Sequence, residues 1–152
     1  MDGKGEPTGS TELLWLLRGA TRRYRRAVHQ ALEASGSGDL AQAGYWLLDA
    51  MSGTARTATE LVGLLQISKQ AVSQLLDALA VQGYVERRPD PADRRRTLLH
   101  LTRRGDEAVA VMRDAVTAVD TAVADRIGQD TIEELRGALR RFVGSSSPQG
   151  GT

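Results

Sequence analysis

Gln70, Ser73 and Gln74 follow Lys69 at helical spacing, so on a helix their amides and hydroxyl share one polar face. Such groups suit base edges, because a glutamine can make two hydrogen bonds to an adenine and a serine can donate or accept. Ser68 precedes them as a favourable N-cap. About twenty residues further on, Arg94, Arg95 and Arg96 follow Asp93 in the run PDPADRRR. Guanidiniums on a thin loop can grip phosphate or enter a narrow A·T-rich minor groove, where the negative potential is deepest. Asp93 is expected to hold one of these arginines by a salt bridge and so aim another. A solvated polar helix face and a solvated charge run are the plain alternatives, and context decides between them.

That context is an ordered set of elements. Thr57 and Glu60 are spaced for a reciprocal cap at the start of a short helix, with Leu61, Leu64 and Leu65 expected to face inward. Gly63 sits inside that helix, either for close packing or for no packing reason. Leu65, Gln66 and Ile67 link it to the next helix, where Val72, Leu75, Leu76 and Leu79 occupy i, i+3, i+4 and i+7 on the buried side. Gly83 can end this helix in the left-handed conformation, with Tyr84 supplying the accompanying apolar contact. Two β-prone runs, Tyr84 to Arg88 and Thr97 to Leu101, then flank the arginine loop. Helix, turn, helix and hairpin in this order predict a winged helix-turn-helix.

The flanks predict helices that frame it. Leu13, Leu17, Ala20, Tyr24, Ala27, Val28 and Ala31 form an apolar stripe, which SGSG at 35–38 ends. Asp39 is a candidate cap for a second helix containing Leu40, Tyr45, Leu47 and Leu48. Thr102 opens another long helix, whose Ala108, Met112, Ala115, Val119 and Ala122 follow a near-heptad step to about Ile127. Asp130 and Glu133 are spaced as a capping box for a last helix bearing Ile132, Leu135, Leu139 and Phe142. The fold class is therefore mainly α with a small β-hairpin wing. Residues 11–35 and 102–143 are read as dimerisation helices around a DNA-binding region at 36–101, and residues 1–10 and 144–152 as disordered tails. Periodicity alone is equally compatible with a monomeric bundle.

Bulk composition narrows the classes. The 152 residues carry 20 basic and 19 acidic side chains, a formal charge of +1, so total charge does not announce a nucleic-acid partner. Its distribution does: Val85 to Arg104 hold seven arginines against Glu86, Asp90 and Asp93. With no cysteine, disulfides and thiolate metal sites are excluded, which fits a cytoplasmic location. No leader and no membrane span is expected from the apolar runs. His29 and His100 lie in different elements, so no metal site and no cofactor is expected. An enzyme has little support, since neither a phosphate-cradling GxxxxGK run nor an HExxH is present.

The segment ISKQAVSQLLDALAVQGYVERRPDPADRRRTLLHLTRRG resembles the MarR family of winged helix-turn-helix transcription regulators, and the resemblance extends over nearly all of Thr11 to Phe142. It implies a homodimer with intertwined terminal helices, recognition helices about one turn of double-stranded DNA apart, and wings in the flanking minor grooves. Ser68, Lys69, Gln70, Ser73 and Gln74 would enter the major groove, with Arg94, Arg95 and Arg96 at the wing and Asp93 orienting them. It further implies a repressor, freed from a near-palindromic operator by a small aromatic or phenolic effector. Trp15, Tyr24, His29, Tyr45 and Trp46 are the candidates for that pocket, with core packing as their other role. Gln66 departs from the family's frequent glycine, and Gln74 from its frequent basic residue. The cysteine that peroxide-sensing members oxidise is absent. A winged-helix protein-interaction module, or a DNA-binding regulator without an effector, is the alternative reading.

Overall fold

A computed structural model describes residues 11–144 as six helices and a two-stranded antiparallel hairpin. In chain order these are α1 (Glu12–Ala34), α2 (Gln42–Met51), α3 (Ala58–Leu65), α4 (Lys69–Val81), β1 (Val85–Pro89), β2 (Thr97–Leu101), α5 (Arg103–Ile127) and α6 (Gln129–Gly144). The expected tails lie outside the described residues, except that Gly144 closes α6. No described helix is long and apolar enough to cross a membrane.

The chain divides into two compact units between Val116 and Thr117, within α5. In the first, Leu47, Leu48, Met51, Leu61, Val72, Leu76, Leu79, Tyr84, Leu99, Val109 and Met112 form one buried core with Val28, Leu32 and Leu40. Helical spacing on α4 accounts for its share: Val72, Leu76 and Leu79 are buried, and Leu75 is half-buried beside them. Leu64 does not follow its expectation. It is 54% exposed, because α3 spans only eight residues and its one fully buried position is Leu61.

Helix α1 is divided along its length. Val28 and Leu32 are buried in the core, whereas Leu13, Leu14, Trp15 and Leu16 are 52–67% exposed. Four large apolar side chains in succession face outward at one end of a helix whose other end is packed.

Two helix starts differ from expectation. Helix α2 begins at Gln42 with Ala41 at its N-cap and no side-chain cap bond; Leu40 precedes it as a core residue. Asp39 is engaged elsewhere, as described below. In the second unit, Gly128 (φ +90°) breaks the chain and α6 opens at Gln129, so Asp130 and Glu133 stand inside the first turns and form no capping box. Glu133 instead accepts from Gln129 Nε2 at 3.2 Å and pairs with Arg136 at 2.7 Å, while Arg136 reaches Asp120 at 2.6 Å. Ile132 is buried, whereas Leu135 and Phe142 are 49% and 64% exposed.

Candidate nucleic-acid interface

The first helix of the reading head is fixed by its cap. Thr57 N–H donates to the Glu60 carboxylate at 2.6 Å and Glu60 N–H to Thr57 Oγ1 at 3.3 Å. The bond from the Thr57 amide holds the Glu60 carboxyl below its ordinary pKa. The turn that follows is made by Gln66 at φ 52°, the only non-glycine positive φ among the described residues. This is the place where the family's glycine is frequent, and glutamine accepts the strain of the left-handed region there.

Ser68 then caps α4, accepting from Ala71 N–H at 3.1 Å. Its oxygen is committed to the helix start, which leaves its hydroxyl proton for an outside acceptor. Lys69, Gln70, Ser73 and Gln74 are all exposed. Asp77, further along the same side, pairs with Arg87 of β1 at 2.6 Å and so ties the helix to the hairpin.

Helix α4 ends as expected at Gly83 (φ +77°), where Tyr84 N–H returns to Leu79 O at 2.9 Å. Tyr84 is fully buried, and the strand starts one residue later than expected, at Val85. Strands β1 and β2 pair from Val85 with Leu101 to Pro89 with Thr97. A third contributor escaped the sequence reading. Arg56 bridges Leu99 through Arg56 N–H to Leu99 O (3.1 Å) and Leu99 N–H to Arg56 O (2.8 Å). One bridged residue leaves no periodicity to detect.

The wing loop is closed on itself. Ala92 N–H donates to the Asp90 carboxylate at 2.8 Å, Arg95 N–H to the Asp93 carboxylate at 3.0 Å, and Asp90 N–H to Arg96 O at 3.0 Å. Asp93 therefore orients the loop through its backbone rather than through the expected salt bridge. A short carboxylate reaches the amide two residues on with less loss of freedom than pinning a long guanidinium arm. Of the seven arginines between 85 and 104, four have carboxylate partners: Arg87 with Asp77, Arg88 with Glu86, Arg103 with Glu107 and Arg104 with Asp39. Arg94, Arg95 and Arg96 are exposed and make no ion pair with any described residue. The basic excess thus resolves into three guanidiniums at the tip without a close carboxylate partner among the described residues, although Arg96 acts electrostatically on Glu60.

A polar side-chain ridge on α4 beside an arginine-tipped hairpin is the arrangement of a winged-helix regulator. The MarR family profile matches residues 39–96. YdcH of Bacillus subtilis (strain 168), an uncharacterised HTH-type transcriptional regulator, is 31% identical over 123 residues, covering 78% of this chain and 80% of YdcH. The chain belongs to the MarR family. MarR from E. coli, as a cysteine-to-serine mutant complexed with operator DNA, matches with a TM-score of 0.70 at 21% identity, covering 89% of this chain and 99% of that one. A mutant of MepR from S. aureus bound to an oligodeoxyribonucleotide matches with a TM-score of 0.56 at 20% identity, covering 89% and 98%. These likenesses show that the fold is that of the MarR proteins.

Of the five aromatic residues expected to line an effector pocket in this MarR-family regulator, Trp15 and His29 stand far apart on α1. Trp15 is 52% exposed under the Arg18 guanidinium, 5.5 Å from its ring centre. It lies fourteen residues before His29, about 21 Å along the helix. Trp46 is 67% exposed. Tyr24 and Tyr45 are half-buried, and His29 is exposed with Nε2 3.3 Å from the Glu33 carboxylate. Burial raises the Tyr45 phenol above its ordinary pKa, and Arg25 and Glu33 of α1 also act on it, which places Tyr45 against the helix that carries His29. An open hollow of about 250 Å³ lies elsewhere, lined by Met51, Gly53, Thr54, Ala55, His100, Leu101 and Asp106.

Proposed function

We propose that this MarR-family regulator works as a homodimer that grips a near-palindromic DNA operator and represses the adjacent gene. Each α4 enters a major groove with Ser68, Lys69, Gln70, Ser73 and Gln74 toward the bases, and each wing sets Arg94, Arg95 and Arg96 against the flanking minor groove or phosphates. The observation that carries this reading is the coincidence of an unspent polar helix face with three arginines that lack carboxylate partners. DNA phosphate is the polyanion that such arginines complement. The exposed Leu13, Leu14, Trp15 and Leu16 support the dimer, since a soluble chain rarely leaves four such side chains bare together.

The test is fragment selection from the host genome, followed by shift assays at two salt concentrations. Binding to the selected fragment that weakens steeply with salt is expected; salt-independent binding, or none, overturns the assignment. Sedimentation of the Leu16→Glu variant tests the dimer, and an unchanged mass at all concentrations would refute it. Within the same reading we assign release to a small aromatic effector near Tyr24, His29 and Tyr45, with Trp15 and Trp46 as its outlying neighbours. Quenching of tryptophan fluorescence by phenolic compounds, accompanied by loss of the shifted band, is the expected signature.

A further inference from the structure

We infer that Asp39, Tyr84 and Arg104 form a joint that holds the reading head at one angle on the base of α5, and that this angle sets the spacing of half-sites the dimer accepts. The inference rests on the DNA-binding reading above and concerns residues outside the recognition surface.

Three chain segments meet at this point. Asp39 belongs to the link between α1 and α2, Tyr84 to the step from α4 into β1, and Arg104 to the first turn of α5. The Tyr84 hydroxyl donates to the Asp39 carboxylate at 2.6 Å, and Arg104 Nη2 donates to the same oxygen at 2.9 Å. The Arg104 guanidinium also stacks on the Tyr84 ring at 4.3 Å and donates through Nη1 to the carbonyl of Gln82, the C-cap of α4. Gln82 Nε2 returns to Asp39 O at 2.8 Å. Below, Thr102 Oγ1 donates to Gly83 O at 2.6 Å while accepting from Gly105 N–H at 3.1 Å.

Stability alone is a poor account of so many directed contacts. The Asp39 and Arg104 side chains are 44% and 41% exposed, and ion pairs so exposed contribute little to folding. What they supply is direction. One guanidinium plane is fixed simultaneously by an aromatic face, a carboxylate and a helix-end carbonyl, which a single rotation of α4 would break together.

The joint also sits where leverage is greatest. It grips the C-terminal end of α4, from which Gln74 is about 12 Å away and Lys69, at the opposite end of the 13-residue helix, about 20 Å away. A tilt of about 10° at the joint moves that end by about 3.4 Å, the rise of one base pair. In a two-fold dimer both heads move, so the joint governs the distance between the two ridges.

The experiment starts from a duplex selected out of a randomised pool by the wild-type chain, then remade with one base pair inserted or removed between its half-sites. Each such change turns one half-site by about 34° about the DNA axis. Wild type should discriminate against these duplexes by roughly tenfold or more. Tyr84→Phe, which loses only the oxygen, and Asp39→Asn should discriminate by about threefold or less, with Arg104→Lys between them. Val109→Ala, in the core of α5, should melt earlier yet keep the wild-type ratio. The inference is overturned if Tyr84→Phe and Asp39→Asn keep that ratio, or if wild type binds DNA without any spacing preference. A wild-type chain that binds no duplex at all would instead remove the DNA-binding reading, and this inference with it. Should Asp39→Asn fail to fold, the Tyr84→Phe and Arg104→Lys ratios decide alone.

Discussion

The root and the tip of the wing use the same residue type in opposite ways. At the root, Arg104 is stacked, ion-paired and hydrogen-bonded, and Arg87 is held by Asp77. At the tip, Arg94, Arg95 and Arg96 extend from a loop whose own amides are satisfied by Asp90 and Asp93, and none of them is ion-paired with a described residue. Arginine becomes structural where the fold brings a planar acceptor within reach, and remains available where it does not. Counting charge along a sequence merges the two populations; only the fold separates them.

The sharpest way to break this contrast is at the root. Tyr84→Ala empties a fully buried ring site and should lower unfolding free energy by about 3–5 kcal/mol in urea titration. A loss below about 1 kcal/mol would deny the root its anchoring role. Gly105→Ala comes next, because an added Cβ would stand 2.2 Å from Tyr84 O, which no rotamer relieves; a loss of about 1–3 kcal/mol is expected.

At the tip the expected pattern is inverted. Arg95→Ala should leave unfolding free energy within about 0.5 kcal/mol of wild type while lowering the salt slope of DNA binding by about 0.9. A large change in thermal midpoint with an unchanged slope would erase the distinction between tip and root.

Titration sharpens the root from both sides. The bond from Tyr84 holds the Asp39 carboxyl below its ordinary pKa, so its stabilisation is present above the usual carboxylate range and is lost as pH falls through the folded-state value. Burial, with the bond to Asp39, raises the Tyr84 phenol, so its contribution is present below the ordinary tyrosine value and is lost as pH rises through the folded-state value. Midpoints of Asp39→Asn should accordingly depend less on pH at the acid end, and those of Tyr84→Phe less at the alkaline end, than wild type. The smallest effect belongs to neither region. Gly63 has no atom within 4 Å of a would-be Cβ, so Gly63→Ala should stabilise α3 by about 1 kcal/mol, and a loss would reveal packing against it.

Much of the reading head was legible because its signals are local. The Thr57 and Glu60 cap, the Ser68 cap, the Val72, Leu76 and Leu79 face, the Gly83 stop and the span of β2 each depend on residues within a few positions of one another. The root was illegible for the complementary reason. Asp39 and Arg104 are 65 residues apart, and Asp39 is an equally good helix cap until Tyr84 and Arg104 compete for its carboxylate. Gly105 carried a faint hint, a glycine inside a helix, but the carbonyl it accommodates lies 21 positions earlier. The Asp93 expectation missed because spacing shows that a carboxylate is near arginines, not which hydrogen it takes.

The self-closed loop between Asp90 and Arg96 has a kinetic consequence. Because its backbone is already ordered, the DNA contact proposed for the wing would leave little conformational search, and its three guanidiniums would present their charge to a phosphate surface from the first encounter. Added salt should then act chiefly on how often productive collisions occur, and only secondarily on how long a complex survives.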